Sequence, residues 1–415
     1  MIQNKKLERG QALVLIVLSV IGLLSLTALA VDGGNAYVQK RAVQNAADSA
    51  ALGGALARVR SGSAWVSTTY KIAAKNGYNN DGVTNVVEVY SPPISGPHAG
   101  DIEYIQVRIT AHTPTYFAGI VGIPEITTAA EAVTRTKTPE ITQILEGNAV
   151  ISLAPTSDCT NDNKRSFEVS GESTLDVKGG GVFVNSNNPT CALKTYGSGS
   201  IRLESGYYIS VVGGASIQKP QLITPYPIKT GAAPISYPPP FLLPKVSCNQ
   251  EAAISDDGTS MTAGYWDEDF PPEGVTGLQP GVYCINDNFR IGGGKTLEGN
   301  GVLIMVEHGD IHIDGSATVQ LSAPPFGQYK GLLIYMPIDN HHTMALNGNS
   351  QSRFTGTILA PGAEIRLKGN ASGWGFRSQI IGYRIISDGN SNIVIDYRDP
   401  LNYDALTMPE IQFTQ

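Results

Sequence analysis

Residues 12–31, ALVLIVLSVIGLLSLTALAV, form an apolar run without a single charge. As a helix rising 1.5 Å per residue the run spans about 30 Å, the thickness of a bilayer's hydrocarbon core, and it predicts a transmembrane helix. Lys5, Lys6 and Arg9 precede it and Asp32 follows it. The positive-inside rule therefore places the N-terminus in the cytoplasm, although Lys40 and Arg41 on the far side weaken the bias. Ala28-Leu29-Ala30 offers the small-x-small pattern of a cleaved signal, and cleavage after Ala30 stays open beside retention. The run exceeds the roughly 7–15 residues of a signal core, which favours retention. Helical spacing continues past the run, with Ala42, Ala46, Ala50 and Gly54 one per turn on one face and Ala47, Ala51 and Ala55 forming a second row. Rows of small side chains let a second backbone approach closely, so the first row is a candidate surface for packing against a partner helix, or against the protein's own domain.

The pattern then changes period. After Ala73-Ala74 and the turn residues Asn76-Gly77 and Asn79-Asn80-Asp81-Gly82, alternating apolar positions predict strands near 86–90, 104–109 and 126–133, with a short segment at 116–121 between the last two. A long helix laid on a small antiparallel sheet is the economical arrangement, a pilin-like α+β unit over 32–136.

From 137 to 415 short alternating strands are cut by Gly, Asn and Asp. Ile313-Asp314-Gly315-Ser316, Leu346-Asn347-Gly348-Asn349, Leu367-Lys368-Gly369-Asn370 and Ser387-Asp388-Gly389-Asn390 share one turn chemistry, the last three about every 20 residues, and Val169-Ser170-Gly171-Glu172 resembles them. Such spacing suits successive coils of a right-handed parallel β-helix, in which Gly supplies the corners and Asn can ladder; a β-sandwich is the alternative. Prolines crowd residues 219–247, which must run as an extended excursion outside any interior strand.

Composition adds constraints. With 46 Gly and 25 Pro against 16% charged residues, the chain is turn-rich, and its net charge of -7 includes no dense basic run, which argues against nucleic-acid binding. Cys159, Cys191, Cys248 and Cys284 lack the CxxC spacing of a zinc site or redox dithiol. In an exported body they read as two disulfides, and sequence order suggests Cys159 with Cys191 and Cys248 with Cys284, one of three connectivities. His308, Asp310, His312 and Asp314 alternate and would share a strand face able to hold a divalent metal, though a solvated face explains them as simply. His341-His342 occupies a loop. No nucleophile elbow, phosphate loop or dinucleotide fingerprint is present, so neither catalysis nor a cofactor is expected.

Arg9-Gly10-Gln11 before the apolar helix, then Val31-Asp32-Gly33-Gly34, then Gln44-Asn45-Ala46-Ala47-Asp48-Ser49-Ala50-Ala51-Leu52, resemble the N-terminal segment of the TadG-like family of Flp (tight adherence) pilus assembly. The resemblance covers about the first sixty residues. It implies a bitopic protein of the cytoplasmic (inner) membrane working with pilus-assembly or envelope partners. After Gly10 the fifth residue is Leu15, where processed pilins carry Glu, which leaves cleavage at Gly10 in doubt. The chain thus divides into a cytoplasmic N-terminus (1–11), a transmembrane helix (12–31), a pilin-like unit (32–136) and a β-rich extracytoplasmic body (137–415). The expected role is non-enzymatic, in assembly or adhesion. A polysaccharide-binding or polysaccharide-cleaving β-helix, with surface glycans as partners, is the alternative.

Overall fold

The computed structural model describes residues 9–145, 147–160, 164–347, 349–369 and 375–414. The chain forms two units, one comprising Met1–Pro139 with Met408–Gln415 and the other Glu140–Thr407. The basic residues Lys5 and Lys6, and the turn residues Gly348 and Asn370, lie outside the described residues.

The first unit is built on α1, a 53-residue helix over Arg9–Ser61. No proline or charge interrupts its apolar half, and at 1.5 Å per residue it is about 80 Å long. A second helix, α2 (Trp65–Lys75), crosses back over it. This crossing depends on Gly53 and Gly54: a Cβ at Gly53 would sit 2.0 Å from Ile72 Cδ1, and one at Gly54 2.1 Å from Thr69 Oγ1. Three antiparallel strands follow, β1 (Asn85–Tyr90), β2 (Tyr104–Pro114) and β3 (Glu125–Lys137). The fourth strand comes from the other end of the chain. Glu410–Thr414 pairs antiparallel with β3, Lys137 opposite Glu410 and Val133 opposite Thr414. The expectation that the β-rich body runs to 415 is therefore corrected: the body is inserted between β3 and this terminal strand, and the last residues complete the sheet of the N-terminal unit.

In the body every long ladder is parallel, in a 10-stranded and a 16-stranded sheet. One path through the larger sheet begins in the middle of the ladder. Strands Asn148–Ser152, Gly181–Val184, Ile209–Val211 and Lys229–Thr230 step toward one end. Gly264–Trp266 then starts at the opposite end, and Gly281–Ile285, Val302–Val306, Leu332–Tyr335, Thr357–Leu367 and Ile380–Ser387 step back. Ile380 finally pairs with Val150, and in the smaller sheet Ile393 pairs with Leu175, so the two halves close into one ladder at its middle.

Residues 231–259 connect the two ends. Ten strands at about 4.8 Å separation make ~43 Å, well within the reach of an extended chain of this length. The segment meets the tiers in order. Ile235 exchanges two 2.8 Å hydrogen bonds with the Asn185 side chain, and the Tyr237 ring lies 5.1 Å from that of Tyr383. Farther along, Tyr329 Oη donates to Lys245 O at 2.7 Å, and Cys248 is bonded to Cys284. Phe241, Leu243 and Val246 cover Leu303, Met305, Leu359 and Ile381 on the sheet's outer face. Apolar positions on both faces of these strands are thereby explained, since the inner face packs into the main core and the outer face lies under this strap. The expected excursion at 219–247 is shifted, because Ile223–Thr224 and Lys229–Thr230 still pair with the sheets.

The turn repeat read from the sequence is one column of the ladder. Ile313 pairs with Leu346, Leu346 with Leu367, Leu367 with Ser387, and Ser387 with Val169. At the corner beyond, Gly171 (φ +70°) and Gly389 stack so closely that a Cβ at Gly171 would meet Gly389 O at 2.6 Å, and Glu172 N donates to that oxygen at 2.8 Å. Only glycine accepts both the left-handed backbone and the approach.

Candidate functional site

The feature that sets the N-terminal unit apart is the change of surroundings along α1. Leu13 to Leu29 carry exposed apolar side chains, whereas Val43, Ala46, Ala47, Ala50, Ala51 and Ala55 are fully buried. Within the apolar stretch the hydroxyls of Ser25 and Thr27 donate to Ile21 O and Leu23 O, each at 2.8 Å, so the helix leaves neither hydroxyl unsatisfied. A helix in lipid requires that, because hydrocarbon supplies no partner.

Between the two stretches sits Asp32, 3% exposed. Its Oδ1 accepts the Tyr116 N–H at 2.8 Å, and its Oδ2 accepts those of Phe117 and Ala118 at 2.9 and 2.6 Å. Burial pushes the carboxyl pKa up, but the three backbone donors outweigh it and hold the group below its ordinary value. Asp32 thus clamps the loop between β2 and β3 to the helix. That role was not read from the sequence, where Asp32 served as the polar end of the apolar run and as part of the family-like Val31-Asp32-Gly33-Gly34; the partner donors are backbone groups some 84 residues away and leave no side-chain signature.

The small-residue face is corrected. Ala46, Ala50 and Gly54 are buried within the N-terminal unit, packed with Ile105, Val107 and Ile109 of β2, Ala130 and Ala132 of β3 and Ala73 of α2. Ala42 is exposed, so the row offers no continuous face to a partner helix. Small side chains are used here to bring α1 close to its own sheet and to α2.

The histidine and aspartate set is also dispersed. The strand spans only Ile311–Ile313, and Gly309 turns a corner before it where a Cβ would meet Asp287 O at 2.2 Å. Of the four residues only His312 lies within the strand, and His308 comes before the Gly309 corner. His308 Nδ1 lies 2.9 Å from Asn286 Oδ1, and Asp310 takes a bidentate ion pair from Arg290 Nε and Nη2, both at 3.0 Å. Arg290 is also the register partner of His312, placing a fixed cation beside the would-be ligand. Asp314 Oδ1 accepts the Ser316 N–H, at 3.4 Å. Among the described residues no group of three His, Cys, Asp or Glu side chains is gathered as for a metal. His341 Nδ1 lies 3.1 Å from Gly362 O, in a turn. Both disulfides form as sequence order suggested, Cys159 with Cys191 and Cys248 with Cys284, and no cysteine is free.

The change from exposed apolar helix to buried alanine face, with Asp32 at the junction, occupies one continuous stretch of sequence. Residues 10–58 match the family of Flp pilus-assembly TadE/G-like proteins. The match takes in nearly all of α1, the Asp32 clamp and both small-residue rows, and it ends before α2. No curated protein and no solved structure matches the chain. The matched segment thus holds both the exposed apolar half of α1 and most of the half that packs on the sheet.

Proposed function

We propose that the protein is a single-pass, non-enzymatic component of a Flp-type pilus or related surface apparatus. Its N-terminus lies in the cytoplasm, residues 12–31 cross the cytoplasmic membrane, and the sheet unit and inserted body stand outside. The carrying observation is α1: one uninterrupted helix whose exposed apolar half is long enough to span a bilayer and whose other half is fixed in a folded domain, within the segment that matches the Flp pilus-assembly family. We read the body as a parallel β-helix, on the strength of its in-register columns and stacked glycine corners. Its function in this reading is contact and spacing, with two disulfides suited to an oxidising compartment.

Fractionation of cells expressing the full chain, with peptide analysis of the mature N-terminus, tests the anchor. Retention of 12–31 in a membrane fraction that resists carbonate extraction is the expected result. A soluble chain beginning at Val31 would overturn it. Alkaline phosphatase fused after Gln415 should be active, and an inactive fusion would reverse the orientation.

A further inference from the structure

The loop between β2 and β3, residues 115–124, reads TYFAGIVGIP and carries no charge. Tyr116, Ile120 and Ile123 are 72, 77 and 52% exposed, an apolar tip that a soluble domain would be expected to bury. Beside the loop the strands carry polar residues, with His112 Nδ1 of β2 3.5 Å from Glu125 Oε1 of β3.

Seven of the loop's nine backbone N–H groups have acceptors within the protein, as hydrocarbon would favour. The N–H groups of Tyr116, Phe117 and Ala118 are taken by Asp32. Those of Thr115, Ile120, Gly122 and Ile123 donate to Pro124 O, Phe117 O, Gly119 O and Ala118 O at 3.0 to 3.2 Å. Thr115 Oγ1 donates to Ile123 O at 2.6 Å, and Pro124 has no N–H to satisfy. In water such economy is unnecessary, because exposed donors are solvated; in lipid each unsatisfied donor is costly.

The loop lies alongside the apolar half of α1 and encloses with it a groove of about 500 Å³, walled by Ile21, Leu24 and Ala28 on the helix and by Phe117, Ile120 and Ile123 on the loop. Leu24 is eight residues below Asp32, about 12 Å along the helix axis. One wall of the groove is therefore the bilayer-crossing segment itself, and whatever surrounds Leu24 fills the groove.

We infer that this loop is a second membrane-inserted element: it enters the outer leaflet beside α1, held to the helix by Asp32, and the groove between them takes a lipid acyl chain. The inference rests on the membrane-anchored reading above. It adds that the domain is fixed against the bilayer at two points, with the helix prevented from rotating or sliding freely relative to the membrane surface.

Because every native cysteine is in a disulfide, single cysteines can be introduced and labelled selectively with a polarity-sensitive fluorophore. Full-length protein carrying Ile120→Cys, Ile123→Cys, Leu18→Cys or Val83→Cys would be reconstituted in phosphatidylcholine–phosphatidylglycerol vesicles containing nitroxide-labelled acyl chains. Labels at 120 and 123 should be blue-shifted and quenched, as at 18, whereas the label at 83, 78% exposed on the β1 side, should be neither. Quenching at 18 with water-like spectra at both 120 and 123 would overturn the loop insertion while leaving the anchor intact. Loss of quenching at 18 as well would overturn both. A further Asp32→Ala change should reduce quenching at 120 and 123 but not at 18; unchanged quenching would remove Asp32 from the mechanism.

Discussion

The two units of this chain solve the problem of burying apolar surface in opposite ways. In the N-terminal unit a single helix brings its smallest side chains to a four-stranded sheet, and stability depends on close approach: Ala46, Ala47, Ala50 and Ala51 leave no room for anything larger. In the body, large side chains repeat along ladder columns, such as Phe354 stacked on Phe376 with ring centroids 5.1 Å apart, and stability depends on repetition of one register. Close helix packing tolerates no enlargement, while a ladder tolerates variation within a tier but depends on its corners and on the segment that joins its ends. Substitutions in the two units should therefore fail for different reasons.

The largest effect is expected where the body's strap is pinned. Cys248→Ser with Cys284→Ser opens a loop of 36 residues, and chain-entropy reasoning gives a loss of about 4 kcal/mol in the body's unfolding free energy. Denaturant unfolding with hydrogen exchange read separately for the two units checks this, and protease should then cut first within 231–259. A loss below about 1 kcal/mol would mean that Phe241, Leu243 and Val246 hold the strap without the bond.

Next in size is the alanine face. Ala50→Leu adds three carbons to a fully buried position and should cost the N-terminal unit about 3 kcal/mol, with no change in exchange from the body. A variant that stays stable but loses a binding partner would restore the docking role for this row.

Gly171→Ala tests the corner. The left-handed backbone and the 2.6 Å approach to Gly389 O together should cost about 2 kcal/mol, felt in the body alone. A tolerated alanine would show that the stacked corner can relax.

What could be read from the chain itself divides along the same line. The apolar helix, the small-residue rows, the disulfide pairs and the turn repeat were legible because each is a local pattern or a short list of residues. Ile313, Leu346, Leu367 and Ser387 recur in the sequence and do pair in one column. The order of the tiers was not legible, because parallel strands of similar composition carry no mark saying which tier lies beside which; nothing in Val150 announces Ile380 as its partner. The terminal strand was hidden for the same reason, its partner Val133 lying more than 270 residues earlier. At 308–314 the alternation shows only in part, since the strand covers Ile311–Ile313 and nothing in the sequence marks Arg290 as the partner of Asp310.

Asp32 sharpens the comparison most finely, since it couples helix and loop through charge and not through packing. Its carboxyl pKa is lowered in the folded protein, so the ionised clamp contributes stability that is present above the unfolded value near 3.8 and is lost as pH falls through the folded value. On acidification below about pH 4 the loop at 115–124 should loosen from α1, while the alanine-packed half of the helix stays on its sheet. A fluorophore at Ile120→Cys would report the loosening and one on the exposed side of the packed half, at Leu52→Cys, would not. Asp32→Asn keeps an acceptor oxygen but no charge, so its loop should be looser at neutral pH and should lack the acid-dependent step. Persistence of that step in Asp32→Asn would assign it to another carboxylate and leave the clamp as a neutral hydrogen-bonded cap.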